Sequence, residues 1–381
     1  MGLLYKPDWE ETKPRYEAWW AHECFGRCAI CVCSPKDSPP DDERPVPPER
    51  VEDRWLDFDY AGAVNEYHMR RTFYGGEALP IWNAGYPGWG FIPCFLGARV
   101  DLDETTGWVH PFLDKGEITD YDYRDLRIDP ENRWWKLTQE MLRFGVEQAR
   151  GKALVTIGAI GGCGDTLAGI RGTNQLLLDV ADNPEYVREF DMYLIRQWIE
   201  VYETLYEIAR EANEGSTCWF PLWSPGRFYP SHNDFAYMIS PGTFREVFLP
   251  SIRTQTEYLD HTVHHLDGVG NFTHLDALLE LPKLQAIQIV PGAGKPGPLH
   301  YMNELKRVQS AGKNLHIGIA PQEVETALQN LSARGLCLTV WCDSEAEARD
   351  VLRSCEKRSK DRPDSFSAAL GSVDRRPEAM A

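Results

Sequence analysis

The sequence predicts an α/β fold, a (β/α)8 TIM barrel with an irregular N-terminal segment. From about residue 130 onward, strand-like segments alternate with helical segments about seven times, and the connections between them are short. Alternation of this kind is typical of a mostly parallel sheet. When one early strand is included, the strand count comes to about eight, which favours a closed barrel over an open sheet.

The N-terminal segment has a different character. A helix around residues 14–23 leads into "CAICVC" at 28–33, which predicts the first strand. Four cysteines in "CFGRCAICVC" also suggest a zinc or iron–sulfur site, but no second Cys/His pair follows at zinc-finger spacing. We therefore favour a buried strand in which cysteine acts as a small hydrophobic residue. A proline-rich acidic loop and a stretch rich in glycine and aromatic residues follow.

The regular part begins with the helix "NRWWKLTQEMLRFGVEQARGK". The strands predicted after it are apolar and rich in β-branched residues. They are "ALVTIGAI", "STCWFPLW", "HTVHHLDG", "LQAIQIVPG", "NLHIGIAP" and "LCLTVWC". We expect one domain over residues 1–357, with the irregular part at 1–130 and the strand–helix repeats at 131–357. The polar, aperiodic end predicts a disordered tail at 358–381.

Composition narrows the class of function. The formal net charge is −18 and no basic run is present, which argues against a nucleic-acid partner and against anionic membrane surfaces. No apolar stretch is long enough for a transmembrane helix. The chain contains ten cysteines and its start lacks the pattern of a signal peptide, so we expect reduced thiols and a cytoplasmic location. A small-molecule substrate is the expected partner.

Polar residues at strand ends are the candidates for chemistry, because active sites of such barrels lie at the C-terminal ends of the strands. In "HTVHHLDGVGN", His265 and Asp267 are two residues apart, so both point to one side of an extended strand, whereas His264 points to the other. Cys342 ends the last predicted strand. Imidazole, carboxylate and thiolate together suit zinc. The same spacing also fits an ordinary hydrogen-bonded His–Asp pair beside a buried cysteine, and spacing alone leaves both interpretations open.

Aromatic residues crowd the segments that are predicted to reach the barrel mouth. We expect several of them to line the largest cavity and to bind an apolar, aromatic or methylammonium group, while the others belong to the core. The candidates are Trp82, Trp89, Trp219, Trp223, Phe228 and Tyr237. His232 and Asp234 are polar candidates on the same rim, and Asp165 belongs to the wider set of polar strand-end residues.

Three stretches, "NDFAYMISPGTFREVFLPSI", "HHLDGVGN" and "LQAIQIVPGAGK", resemble the uroporphyrinogen-decarboxylase-like superfamily over roughly residues 10–355. The resemblance implies a (β/α)8 barrel. The superfamily contains uroporphyrinogen decarboxylases, which carry an N-terminal arginine-rich motif, and cobamide-dependent methyltransferases. At the corresponding place this chain has only Arg27 in "AWWAHECFGRC", so it is more similar to the methyltransferases.

The methyltransferases bind zinc through a His-x-Cys pair and a cysteine roughly eighty residues later. In this chain His265 matches the histidine, Asp267 replaces the first cysteine, and Cys342 matches the distal one, 77 residues on (342 − 265). Asp234 matches an aspartate that faces the pocket in the superfamily. The resemblance thus implies a metal site of His265, Asp267 and Cys342 and catalytic roles for Asp234, His265 and Asp267.

The resemblance implies a zinc-dependent methyltransferase that moves a methyl group between a small substrate and a corrinoid carried by a partner protein. Zinc would then act as a Lewis acid. Two alternatives remain open. One is a metal-free decarboxylase or lyase of the same superfamily, in which Asp234 and His265 transfer protons. The other is a non-catalytic member that binds a small ligand or a corrinoid protein.

Overall fold

The computed structural model describes residues 2–84 and 90–362. The strands within these ranges are β1 (Ala29–Pro35), β2 (Thr72–Gly76), β3 (Ile81–Trp82), β4 (Arg99–Leu102), β5 (Gly107–His110), β6 (Leu154–Val155), β7 (Ser231–His232), β8 (Val263–Asp267), β9 (Ala286–Val290), β10 (Asn314–Ile319) and β11 (Leu336–Trp341). They form one large sheet and two small ones.

The large sheet has seven strands in the order β2-β1-β11-β10-β9-β8-β7. Every neighbouring pair in it is parallel except β1 with β2, which is antiparallel. The strands β8 to β11 are buried along most of their length, as expected for parallel strands that are covered on both faces. The α/β class and the parallel sheet predicted from the sequence are therefore confirmed.

A continuous ring of eight paired strands is not present in the described part of the chain. β2 and β7 are the edges of the large sheet, and β3 pairs with β6 in a separate parallel pair. Single bridges link Ile157 to Cys218 and Phe228 to His261. The segment 216–223, predicted as a strand, instead turns back at Pro221, which has no N–H for a strand ladder.

Helices cover the sheet and connect its strands. They are α1 (Trp9–Trp20), α2 (Val51–Leu56), α3 (Phe58–Arg71), α4 (Ile92–Phe95), α5 (Arg133–Ala149), α6 (Cys163–Arg171), α7 (Thr173–Asp182), α8 (Pro184–Asn213), α9 (Pro241–Val247), α10 (Leu249–Tyr258), α11 (Leu275–Leu279), α12 (Met302–Ser310), α13 (Val324–Asn330) and α14 (Glu345–Arg358). The first 130 residues, predicted to be irregular, thus contain several helices. In the part of the chain that the structure describes, no helix has the length and apolar character needed to cross a membrane.

Helix α1 is fastened to the large sheet by buried indole groups. The Nε1 of Trp19 donates to the Gly335 carbonyl at 3.0 Å, and the Nε1 of Trp20 donates to the Trp223 carbonyl at 2.9 Å. In return, the Asn314 amide donates to the Trp19 carbonyl at 2.6 Å. The buried apolar residues form one cluster that reaches from the N-terminal helix to α14.

Candidate metal centre and its surroundings

The end of β8 places His265 and Asp267 on one side of the large sheet. The segment 263–267 is extended, so alternate residues share a side, and Gly268 turns the chain directly afterwards. Gly268 has a backbone φ of +83°, a value that residues with a Cβ seldom adopt. Its N–H donates to the Val290 carbonyl at 2.8 Å. The turn therefore carries the chain away and leaves the end of β8 open.

Asp234 reaches the same place from another element. It begins the short 3-10 helix Asp234–Met238, which follows β7, the strand next to β8. The ligand atoms of Asp234, His265 and Asp267 all lie within 4.8 Å of one another. Because one imidazole nitrogen and two carboxylates converge, the group can hold a divalent metal ion.

The hydrogen bond and the burial of His265 favour a neutral imidazole, the form that can bind a metal ion. Its Nδ1 forms a short hydrogen bond with Oε1 of Gln288, the residue paired with it on β9, so Nδ1 carries the proton and Nε2 is left with a lone pair. Burial is the main reason that the pKa of His265 is lowered, with a smaller contribution from the charge of His232. A fixed tautomer of this kind is typical of metal-binding histidines.

One carboxylate oxygen of Asp267 is left without a hydrogen-bond partner among the described residues. Its Oδ1 is buried and has no hydrogen-bond partner among the described residues, whereas its backbone carbonyl accepts from the Asn271 amide at 2.6 Å. An unpaired buried carboxylate oxygen is costly, and a cation would offset that cost. This oxygen is a free ligand atom within a group that could hold a metal ion.

Asp165 positions Asp234. Its Oδ2 lies 2.6 Å from Nδ1 of His232 and 2.9 Å from the backbone nitrogen of Asp234, and its Oδ1 lies 2.9 Å from the backbone nitrogen of Phe235. Burial favours the neutral acid, but the hydrogen bond and charge of His232 outweigh it and lower the pKa of Asp165. Burial likewise opposes a charged His232, but Asp165 outweighs it and raises the pKa of His232. The two form an ion pair when His232 is protonated.

Asp234 itself is a weaker acid than an ordinary aspartate. Asp234 is exposed as a residue, but partial burial of its carboxyl raises its pKa to about 6, and the negative charges of Asp165 and Asp267 add to the effect. The carboxylate lies beside a cavity of about 440 Å³ whose wall also includes Asp165, Phe235 and Met238. Of the three residues of the group, only Asp234 lines this cavity, so a small molecule in it would reach the group from the Asp234 side.

Two of the predicted substrate-binding aromatics lie at this site. The Trp219 ring stands perpendicular to the His265 ring, with 5.4 Å between centroids, and perpendicular to the His232 ring at 6.2 Å. The Trp219 Nε1 is buried and has no partner among the described residues. Tyr237, half exposed, lies over the turn after β8, where a Cβ on Gly270 would be 2.7 Å from its ring.

The other predicted aromatics lie elsewhere. Trp82, Trp223 and Phe228 are almost fully buried and face helices rather than a cavity. Trp82 packs against Phe144 of α5, Trp223 against α1, and Phe228 against Trp20. Their large apolar rings fill space between sheet and helices, so the structure lends no support to their predicted role as cavity walls, which stays a prediction. Trp89 lies outside the described residues.

The structure does not bring Cys342 into the metal-binding group. Strand pairing puts four residues on one side of the sheet, namely His265, Gln288, His316 and Cys337. By alternation Trp341 shares that side and Cys342 points to the other. Burial, followed by the charges of Glu347 and Asp343, raises the pKa of Cys342 to about 11. Among the described residues the ligand atoms that converge belong to Asp234, His265 and Asp267, so the structure does not support Cys342 in the role that we expected.

His264 also lies on the opposite side, as expected. Its Nδ1 lies 2.8 Å from Oγ of Ser231, and burial is the first cause that lowers its pKa to about 3. Gln288 was not anticipated, although it is the one polar residue inside the apolar stretch "AIQIV", which was a detectable signal. The cysteines of "CAICVC" lie in or beside β1, and the metal-binding group found among the described residues contains none of them.

Comparison with solved structures supports the fold. A methyltransferase from Methanosarcina mazei is similar to this chain with a TM-score of 0.56 at 10% sequence identity, covering 94% of this chain and 99% of that one. A methylaspartate ammonia lyase from Clostridium tetanomorphum matches with a TM-score of 0.31 at 10% identity over 62% and 50% of the two chains, too low to indicate a shared fold. No protein-family model and no curated protein matches the sequence. At this identity the first comparison shows that the chain has a methyltransferase-like fold.

Proposed function

We propose that the protein is a zinc-dependent methyltransferase that moves a methyl group between a small substrate and a corrinoid carried by a partner protein. The observation that carries the proposal is the convergence of Asp234, His265 and Asp267, whose ligand atoms lie within 4.8 Å of one another. The sequence resemblance and the methyltransferase-like fold support it. We further propose that residues 1–357 form a single (β/α)8 domain whose strand ends carry the site.

The residues fit a zinc ion in two respects. Imidazole and carboxylate are both acceptable zinc ligands, and the unpaired buried Oδ1 of Asp267 is a ligand atom without a partner. Because the set contains no thiolate, it selects less strongly for zinc over other divalent ions than a cysteine-containing site. When bound, zinc would supply a Lewis acid that stabilises negative charge on the methyl acceptor.

The surrounding residues have separate tasks in this proposal. Gln288 holds the His265 ring and its tautomer. Asp165 fixes the backbone of the turn that carries Asp234, and its hydrogen bond with His232 lowers the pKa of Asp165, which favours the charged form of Asp165. The Trp219 face closes one wall beside the two histidines and favours an apolar methyl-bearing group over water.

Metal analysis and turnover test the proposal together. We expect about one equivalent of zinc in purified protein, lost in Asp234→Asn and kept in Cys342→Ser. We also expect demethylation of methylcobalamin, followed by its absorbance, with at least one member of a panel of small thiols, amines and phenols. Zinc below about a tenth of an equivalent, unchanged by adding zinc, would contradict the metal site.

A second candidate function is a metal-free lyase or decarboxylase. It is favoured by one observation, the Asp165–His232 ion pair beside Asp234, whose pKa of about 6 suits a group that gives and takes a proton near neutral pH. The two candidates differ in their response to chelators. Activity that survives exhaustive treatment with a chelator favours the lyase, and activity that is lost and then restored by zinc favours the methyltransferase.

A further inference from the structure

A second cavity lies away from the metal-binding group. Its volume is about 580 Å³, and it is enclosed by one face of α3, by α2 and by the proline-rich loop before α2. The residues that matter for its chemistry are Arg44, Arg54, Trp55, Tyr60, His68 and Glu104. Cavities of this volume are typical of small-molecule sites.

The walls of this cavity are held by specific hydrogen bonds. The Asn65 amide donates to the Asn83 carbonyl at 2.9 Å and its Oδ1 accepts from the Asn83 N–H at 2.7 Å, which ties α3 to the chain just after β3. The Trp55 Nε1 donates to the Asp103 carbonyl at 2.7 Å, and the Arg54 Nε donates to the Pro48 carbonyl at 3.1 Å. These bonds hold the α2 and α3 sides of the cavity in place.

The charge of this cavity is opposite to that of the chain. The whole protein has a formal net charge of −18, yet two guanidinium groups line the cavity against one carboxylate, that of Glu104. Glu104 is 71% exposed and pairs with Arg54 at 3.3 Å. Within residues 2–84 and 90–362, no carboxylate lies within ion-pair distance of Arg44.

Arg44 and His68 lie close enough to repel each other. Burial is the first cause that lowers the pKa of His68, and the positive charge of Arg44 is the second. Because the lowered pKa favours a neutral His68, the positive charge on this side of the cavity is that of Arg44, which would be stabilised by a negatively charged partner. A guanidinium group binds carboxylate or phosphate through two parallel hydrogen bonds.

We propose that this cavity binds a small organic anion, in which an apolar or aromatic body carries a carboxylate or phosphate group. Arg44, assisted by Arg54, would bind the anionic group. Trp55 and Tyr60 would contact the body. The site lies apart from Asp234, His265 and Asp267, so the inference does not depend on the proposed methyltransferase function.

Binding of benzoate and of phenyl phosphate to the full-length protein tests the site, with dissociation constants from ligand-observed NMR titrations. We expect saturable binding of at least one anion and none of the neutral analogue benzyl alcohol. Arg44→Gln should weaken binding by about fivefold or more, because a charged hydrogen bond is lost. Inorganic phosphate alone should bind more weakly than phenyl phosphate. The better of the two aromatic anions identifies the head group.

Arg50→Gln is the matched control, since Arg50 is also on the surface, 72% exposed, and pairs with Glu52 outside the cavity. It should bind both anions like the unaltered protein. Far-UV circular dichroism and a melting curve establish that the two variants are folded. The proposal is overturned if neither anion binds saturably up to about 5 mM, an affinity below that of specific small-molecule sites. Equal affinity of the unaltered protein and Arg44→Gln also overturns it.

Discussion

His264 and His265 are neighbours in the chain with different surroundings, and exchanging either for alanine should separate stability from metal binding. His265→Ala removes a ligand and should abolish zinc binding. His264→Ala leaves the ligands in place but removes a buried ring and strands the Ser231 hydroxyl, so we expect a loss of about 2–4 kcal/mol in the free energy of unfolding. Metal analysis and urea titration of both variants measure the two effects. Loss of zinc in the His264 variant while it is folded would contradict the assignment.

Asp191 should make the protein less stable as the pH rises. Burial raises the pKa of this carboxyl on α8 to about 7, and Asp165 adds to the effect. Because the folded-state pKa is above the unfolded value near 4, the folded protein binds more protons between these pH values. The contribution of Asp191 to the unfolding free energy should therefore fall from about pH 4 to 7 and stay reduced above, and the comparison with a variant at this position isolates it from the other titrating groups.

Asp191→Asn removes this charge and should raise the melting temperature at pH 8 by several degrees, with little change at pH 4. Ser251, which donates to Oδ2 of Asp191, still finds an oxygen acceptor in the variant. The measurement is a series of melting curves from pH 4 to 8 for both proteins. Equal melting temperatures at pH 8 would show that the carboxylate is not destabilising.

Single residues could be predicted where they depend on local geometry. The alternation of an extended strand predicted which of the two histidines joins Asp267, and it did so without any structure. The third member of the group, Asp234, could not be predicted in this way because it comes from another element. Cys342 was expected in its place because it matches the spacing that the resemblance implies. Spacing along the chain does not show on which side of the last strand a residue falls.

At the scale of elements, the 3-10 helix Asp234–Met238 and the turn after β8 form one unit. The Tyr237 ring fills the space above Gly270, where an added Cβ would be 2.7 Å from a ring carbon. Gly270→Ala should displace this ring and shift the helix that carries Asp234. We expect zinc affinity to fall by about tenfold, comparable with loss of a contact that orients a ligand.

Gly242→Ala provides the control for that prediction. Gly242 lies in α9, and its added Cβ would meet only ordinary contact, with Oγ of Ser240 at 3.7 Å. The variant should keep the zinc affinity of the unaltered protein. Competition titrations with a chromophoric chelator measure both affinities, and an unchanged value for Gly270→Ala would show that Tyr237 and Asp234 move independently.

Elements could be predicted well where apolar residues alternate or form continuous runs. β1 and the four strands from β8 to β11 follow the segments that the sequence indicates. The segment 216–223 was wrongly predicted as a strand because its apolar and aromatic residues are typical of one. Pro221 interrupts the ladder of hydrogen bonds there. The helices of the first 130 residues lie between proline- and glycine-rich stretches that hide their periodicity.

For the whole molecule, the contacts of α1 predict one unfolding transition. This helix exchanges hydrogen bonds with Gly335, Asn314 and Trp223, which belong to distant parts of the chain. If residues 1–357 are one domain, urea curves from tryptophan fluorescence and from far-UV circular dichroism should coincide. Asn314→Ala should move the common midpoint to lower urea without splitting it. Two separated transitions in the unaltered protein would indicate two domains.

The atoms that converge at the end of β8 are nitrogen and oxygen, whereas all ten cysteines lie outside the group. Thiolate ligands are oxidised by peroxide in steps that end in sulfinic and sulfonic acids, and a metal held by them is released. Imidazole and carboxylate do not enter this series. A metal centre with imidazole and carboxylate ligands would therefore keep its ligands intact in aerated or peroxide-containing solution. A cysteine-ligated centre stays intact only in a reducing environment.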